Sequence, residues 1–157
     1  MLIYCTKCWQ ENPATNRKCL RCGASLETDS ASYLAKLIRA LAHPEPQTVQ
    51  RAAWILGELK DSEAVEPLIA LLKTTTEMGA LESAAEALGK IRDERAVDIL
   101  FRLVTSSYLS VRSKAVDALQ EIGSPNALIA LTKASTGASN FVSRRAKQAL
   151  KSFHQEV

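Results

Sequence analysis

Leu56, Leu88, Leu119 and Leu150 stand 32, 31 and 31 residues apart, and four residues before each is an alanine: Ala52, Ala84, Ala115 and Ala146. A second register runs in parallel through Ala64, Ala96 and Ala127, then Leu68, Leu100 and Leu131, and it extends back to Leu37. Each unit of about 31 residues thus holds two apolar segments with helical spacing. No single pair of such helices can bury its apolar faces, so the units must stack along one direction and cap their ends. Alanine has a packing role in this pattern. Stacked helices approach closely only where small side chains meet, and leucines then fill the space between layers.

Boundary signals agree with the repeat. Asp61-Ser62 and Asp93 stand where N-caps belong, and Ser124 precedes Pro125 at a first helical position. Pro44 and Pro46 separate the first two segments, Gly123 falls in a turn, and Gly137 precedes the last segment. The pattern predicts eight helices as four antiparallel pairs: 31–42 with 46–59, 62–73 with 78–91, 94–105 with 109–122, and 125–135 with 140–154. Composition fits an all-α chain, with 46% hydrophobic but only 5% aromatic residues. Such a chain is too apolar, and too evenly charged at a formal +3, for low-complexity disorder.

Residues 45–150, and less closely 31–44, resemble HEAT repeats of the phycobilisome-lyase-like type. Their recurring pattern is V-R-x-x-A-x-x-A-L-G-x-I-G-D-x-x-A-x-x-x-L, and Val111-Arg112, Ala115, Ala118-Leu119, Ile122-Gly123 and Ala127 follow it. Gln120 stands where Gly is usual, and Ser124 where Asp is usual. The resemblance implies an α-solenoid of four HEAT-like helix pairs that serves as a binding scaffold.

All four cysteines lie before the repeats, as Cys5, Cys8, Cys19 and Cys22. Two C-x2-C pairs separated by ten residues are a metal-site pattern, and a reducing compartment keeps such thiols available as ligands. Each pair forms a knuckle, and two facing knuckles supply the four thiolates that tetrahedral zinc prefers. Gly23 follows the second knuckle, where a left-handed backbone is needed, whereas Trp9 follows the first. About 25 residues bury too little surface to fold alone, so one structural Zn²⁺ per chain is expected to supply the folding energy. Four ligands close the coordination sphere and leave no place for a catalytic water. Lys7, Arg17, Lys18 and Arg21 would offset the thiolate charge.

The stretch 3–26, with its double C-x2-C and Glu11-Asn12-Pro13, resembles the prokaryotic zinc ribbon. Ran-binding-protein-type zinc fingers share the spacing of Cys8, Asn12, Cys19 and Cys22. They differ in having Trp where this chain has Ile3, so the ribbon is the better match. The expected organisation is a zinc ribbon at 1–26, a linker at 27–30 and a solenoid at 31–157.

In arrays of this kind the second helix of each pair lines the concave face. Positions nine, five and two before the landmark Leu, and two after it, project on one side. They read Gln47, Arg51, Trp54, Glu58; Gly79, Ser83, Glu86, Lys90; Ser110, Lys114, Asp117, Glu121; and Phe141, Arg145, Gln148, Ser152. Arg51, Trp54, Lys114 and Arg145 are the candidate contacts for a protein partner, with Trp54 as anchor or else buried against a neighbour. Tyr4, Trp9, Arg17 and Lys18 form an alternative nucleic-acid surface, assisted by a basic last helix. Trp9 has a structural use as well, as cover for the metal core.

An enzyme is not expected. The two histidines, His43 and His154, form no apparent triad, and no cysteine is left over for nucleophilic work. HEAT-repeat hydroxylases use several His-Glu pairs to hold iron, which this chain lacks. A bilin-lyase-like or chaperone role is a further alternative that the repeat type implies. The N-terminus shows no basic segment leading into a long apolar core, and no apolar run approaches the ~20 residues of a membrane span. A cytoplasmic, non-enzymatic adaptor is the expectation.

Overall fold

The computed structural model describes residues 2–26, 32–137 and 140–153. The expected linker at 27–30 and His154 lie outside the described residues.

Strand β1 (Leu2–Tyr4) pairs antiparallel with β2 (Glu11–Pro13), Ile3 lying opposite Asn12. A single bridge joins Lys18 to Ser25. Each cysteine pair thus sits in a turn between two short extended segments. The turns are built alike. Trp9 N donates to Cys5 O at 2.8 Å and Gly23 N to Cys19 O at 3.0 Å, with left-handed φ of 62° and 71° respectively.

Eight α-helices follow among the described residues: α1 (Tyr33–Ala40), α2 (Pro46–Leu59), α3 (Val65–Thr74), α4 (Met78–Ile91), α5 (Val97–Leu103), α6 (Leu109–Ile122), α7 (Pro125–Gly137) and α8 (Asn140–Phe153). The four second helices α2, α4, α6 and α8 begin where the repeat predicts. Helices α3 and α5 begin three residues later than expected, each preceded by a 3-10 turn at Ser62–Ala64 and Glu94–Ala96. The side chains explain the difference. Asp61 and Asp93 each accept from the backbone N–H two residues on, both at 2.9 Å, which tightens the first turn. At Ser124 the hydroxyl accepts from Ala127 N instead, and α7 starts directly at Pro125.

Leu56, Leu68, Leu88, Leu100, Leu119 and Leu131 are fully buried and form the spine of the core. Leu150, the landmark of the last pair, is only partly covered. The second helices make the tighter layer, α2 on α4 and α4 on α6, while the first helices touch lightly along the array. Helices α2, α4, α6 and α8 thus form one continuous layer, the inner face of the array.

Glycine sets the closeness of the inner layer. A Cβ at Gly57 would lie 2.6 Å from Ala87 Cα, and one at Gly89 would lie 2.8 Å from Ala118 Cα. In the next repeat the same register holds Gln120, whose amide donates to Ser152 Oγ at 2.9 Å. Side chains therefore separate α6 from α8 where backbones touch in the two earlier interfaces. The helix termini follow the same register: Lys60, Arg92 and Gly123 all close their helices in the left-handed region.

Candidate functional site

The two knuckles bring Cys5, Cys8, Cys19 and Cys22 together with all Sγ atoms within 4.8 Å of one another. Cys5 lies 3.6 Å from Cys22, and Cys8 lies 3.6 Å from Cys19. A disulfide needs about 2.05 Å, so these are free thiols. Four sulfurs at about 2.3 Å from a tetrahedral zinc ion stand about 3.8 Å apart, close to these two separations of 3.6 Å.

Backbone amides support the cluster symmetrically. Lys7 N donates to Cys5 Sγ and Arg21 N to Cys19 Sγ, both at 3.4 Å. At Cys19 burial raises the thiol, but the N–H groups of Cys22 and Arg21 outweigh it and lower the pKa to about 6. At Cys8 the N–H of Gln10 pulls the other way, yet burial and the neighbouring sulfurs push the thiol up to about 12. A cation at the centre would favour the ionised form of all four thiols.

Asn12 braces the assembly. Its fully buried amide accepts from Leu20 N at 2.9 Å, and donates to Gln10 O at 2.6 Å and to Cys19 Sγ at 3.7 Å. One side chain therefore ties the first knuckle to the second. Trp9, in turn, joins the knuckles to the helices. Its ring meets His43, in the turn between α1 and α2, with centroids 4.4 Å apart and planes at 64°. Such edge-to-face pairs contribute about 0.5–1.5 kcal/mol.

On the inner face, charges pair from one repeat to the next. Lys90 of α4 lies 2.6 Å from Glu58 of α2 and 2.8 Å from Glu86 of its own helix. Glu86 also receives Lys114 of α6 at 2.6 Å, and Asp117 of α6 pairs with Arg145 of α8. Trp54 is half exposed on α2, with the Lys90 ammonium 5.9 Å from its ring centroid. A cleft of about 760 Å³ opens beside it, lined by Gln47, Gln50, Arg51, Trp54 and Ser83, with Glu45 and Thr48 at one end.

A family model described as HEAT repeats matches residues 9–79 and 80–151. The chain belongs to the HEAT-repeat family. Among solved structures, a chain in the complex of CpcE and CpcF of phycocyanin lyase from Nostoc sp. PCC7120 is 28% identical to this HEAT-repeat protein. It superposes with a TM-score of 0.61 over 73% of this chain and 46% of that one. A designed armadillo repeat protein in complex with the peptide (KR)4 is 20% identical, with a TM-score of 0.56 over 76% of this chain and 64% of that one. An engineered protein at 24% identity gives a TM-score of 0.52 over 76% and 61%. The chain spans about half to just under two thirds of the length of these structures. No curated protein matches the sequence.

The HEAT array places the four residues singled out on its inner face in two different conditions. Lys114 and Arg145 are engaged in the inter-repeat ion pairs, whereas Arg51 and Trp54 face the cleft. Of the residues grouped as a nucleic-acid surface, Arg17 and Lys18 are exposed. Tyr4 donates to Glu11 Oε1 at 2.5 Å across the hairpin, and Trp9 packs on His43, so both aromatics have partners within the chain.

Sequence reasoning passed over Asn12 as part of a motif without a role, and read Glu58, Glu86, Lys90 and Asp117 only as a mixed-charge stripe. Their signal was present as spacing. Glu86 and Lys114, like Asp117 and Arg145, are 28 residues apart, and Glu58 and Lys90 are 32 apart.

Glu86 gives this charge ladder a pH signature. Its carboxyl is held below the usual 4.5, chiefly by the hydrogen bond from Lys114 and then by that from Lys90. A depressed carboxylate contributes stability that is complete above its unfolded value and is lost as pH falls through the folded value. Glu86→Gln is expected to flatten the loss of thermal stability below about pH 4.5. The cost near neutrality should stay under about 1 kcal/mol, as for partly exposed pairs. Melting curves between pH 3 and 7 at low salt check this, and an unchanged acid limb would assign the loss to other carboxylates.

Proposed function

We propose that this HEAT-repeat protein is a non-enzymatic adaptor that holds a protein partner on the inner face of α2, α4, α6 and α8. In this reading residues 1–26 form a zinc ribbon, 27–30 a linker and 31–157 the solenoid, and the protein works in the cytoplasm. Cys5, Cys8, Cys19 and Cys22 hold one zinc ion, which would bind the four thiolates and supply folding energy rather than chemistry. The spacing of the four sulfurs and the N–H donors around them support that assignment.

The observation that carries the adaptor reading is the half-exposed Trp54 beside Arg51 at the mouth of a cleft on the inner face. An exposed Trp is an expensive feature on a monomer surface and a frequent anchor at interfaces. Lys114 and Arg145 support the face through their ion pairs, while Arg51 and Trp54 stand available for contact. No described helix is long and apolar enough to cross a membrane.

A photo-crosslinker placed at Gln47, on the inner face, is expected to capture a protein that one at Ile129, on α7, does not. Trp54→Ala should reduce that capture about tenfold, the scale of an interface anchor. Equal capture from both positions, or capture indifferent to Trp54→Ala, would remove the inner face from the proposal.

A second reading, a bilin-lyase-like subunit, is favoured by the 28% identity to a chain of the CpcE–CpcF complex. Co-expression with a bilin and its acceptor protein would reveal it by visible absorbance on the acceptor. Nucleic-acid binding through Tyr4, Trp9, Arg17 and Lys18 is the weaker alternative, because both aromatics are already partnered. Affinity falling steeply with salt would support it.

A further inference from the structure

Apart from Glu58–Lys90, which joins α2 to α4 two residues after the landmark leucines, the inter-repeat ion pairs of the inner face follow one diagonal rule, and the rule leaves one cation over. In two consecutive repeats an acid two residues before the landmark Leu pairs with a base five before the next one: Glu86 with Lys114, and Asp117 with Arg145. Ser83 occupies the base position on α4, and Trp54 the acid position on α2, so the first rung of the ladder carries no charge. It is at this rung that the cleft opens. Arg51 occupies the base position on α2. The acid it would pair with belongs to a second helix before α2, and no such helix occurs among the described residues. Among the described residues Arg51 has no ion pair, and it is exposed at the cleft wall. At the other end the acid position on α8 is Gln148, so no carboxylate is left unmatched there.

We propose that Arg51 receives a carboxylate from an extended acidic peptide of a partner protein, which supplies the acid missing from the ladder, while Trp54 covers an apolar side chain of the same peptide. This rests on the inner face being the interaction surface. The spacing is set by the helix. Arg51 and Trp54 are three residues apart, which puts their Cβ atoms about 5–6 Å from each other. Side chains on one face of an extended peptide recur every second residue, about 6.6 Å apart. The fitting motif is therefore an acidic residue and an apolar residue two positions apart. Guanidinium offers a planar, bidentate fork to a carboxylate. The exposed amides of Gln47 and Gln50 stand at the same cleft to meet peptide N–H and C=O groups. Glu45, the one acid lining the cleft, accepts from the Thr48 hydroxyl at 2.7 Å at the start of α2 and would repel a peptide carboxylate there, so the peptide's acid is directed to the Arg51 end.

The test is fluorescence anisotropy on the full chain with labelled nine-residue peptides, Gly/Ser-flanked, carrying Glu-Ser-Leu, Gln-Ser-Leu, Glu-Ser-Ser or Lys-Ser-Leu. The Glu-Ser-Leu peptide is expected to bind about tenfold more tightly than each of the others, the scale of one charge-assisted contact. Arg51→Gln should remove the preference for Glu over Gln, and Arg51→Glu should transfer it to Lys-Ser-Leu. Trp54→Ala should remove the preference for Leu over Ser, and Lys133→Gln, exposed on α7, should change neither. Both tested side chains are exposed, and an unchanged circular dichroism spectrum confirms that the variants fold.

Equal binding of Glu and Lys peptides, or a Glu preference that survives Arg51→Gln, would overturn the proposal. If the Lys-Ser-Leu peptide binds better and depends on Trp54, the acidic occupant is wrong but the inner-face reading stands. If no peptide binds and crosslinking from Gln47 captures nothing, both fail together.

Discussion

Cys19→Ala is expected to cut the metal content of the purified protein from one zinc per chain to near zero and to unfold residues 2–26, leaving the helices in place. The expected effect is large because the hairpin has almost no core of its own. Among the described residues its fully or nearly buried ones are Cys5, Asn12 and Cys19, and two of these three belong to the four-thiol cluster. Zinc is worth roughly 10–16 kcal/mol to small peptides of this kind, more than any other interaction these residues can make. The core of the solenoid begins at Leu37 and shares no residue with the knuckles, so it should melt almost unchanged.

Metal analysis after dialysis reads the first part of this prediction. Hydrogen exchange at the N–H groups of Trp9, Gly23 and Leu26 reads the second, since each is bonded within the hairpin region. Trp9→Gly makes the informative comparison. It relieves a left-handed backbone that costs a bulky residue roughly 1–2 kcal/mol and removes the ring from His43, while leaving all four sulfurs in place. That variant should keep its zinc. Full metal occupancy in Cys19→Ala would sink the assignment of these four residues as one site.

The second large effect is expected inside the solenoid. Gly57→Ala places a methyl group 2.6 Å from Ala87 Cα and 2.9 Å from Ala87 Cβ, a collision with backbone that no rotamer change can relieve. Alanine gains about 1 kcal/mol of helix propensity over glycine at an interior position. Forcing α2 away from α4 costs more, on the order of 3 kcal/mol, because it opens the tightest layer of the array along its length. The net result should be a loss of about 2 kcal/mol, read as a lower urea midpoint. A lower slope as well would show that the first helix pair has begun to unfold separately, as stacked repeats do when one interface weakens.

Gly79→Ala is the control. Its methyl would meet only the end of the Gln50 side chain, 2.7 Å from Oε1, which can swing aside. That variant should be neutral or more stable by up to about 1 kcal/mol. If Gly57→Ala proves as stable as the parent, close backbone approach is not what the repeated glycine is for.

These two predictions differ in where their support comes from. The clustering of the four thiols could be read from the cysteine spacing alone, because C-x2-C turns are local and the chain between them is too short to place the pairs far apart. The start of α2, α4, α6 and α8 was legible for the same reason, since each depends on residues within one or two turns. Three-residue shifts at α3 and α5 were not anticipated. They depend on which backbone N–H an Asp side chain reaches, and the apolar pattern carries no information about that. The glycines at 57 and 89 were visible as repeat positions, but what they contact was not.

What the sequence by itself determined is the set of helices, their pairing into repeats, the faces they bury and the four thiols that meet. Periodicity decides all of these, because the period of an α-helix and the length of a turn are properties of the local chain. What only the tertiary structure decided is which surface groups find partners. Lys114, Arg145 and Arg51 share one register, yet two are neutralised by Glu86 and Asp117 and the third is not. That outcome depends on the stagger between successive helices, which turns a mixed-charge stripe into a diagonal ladder with a missing first rung. Stagger is set by how alanine, glycine and leucine interlock between layers, so packing of the buried face decides the chemistry of the exposed one.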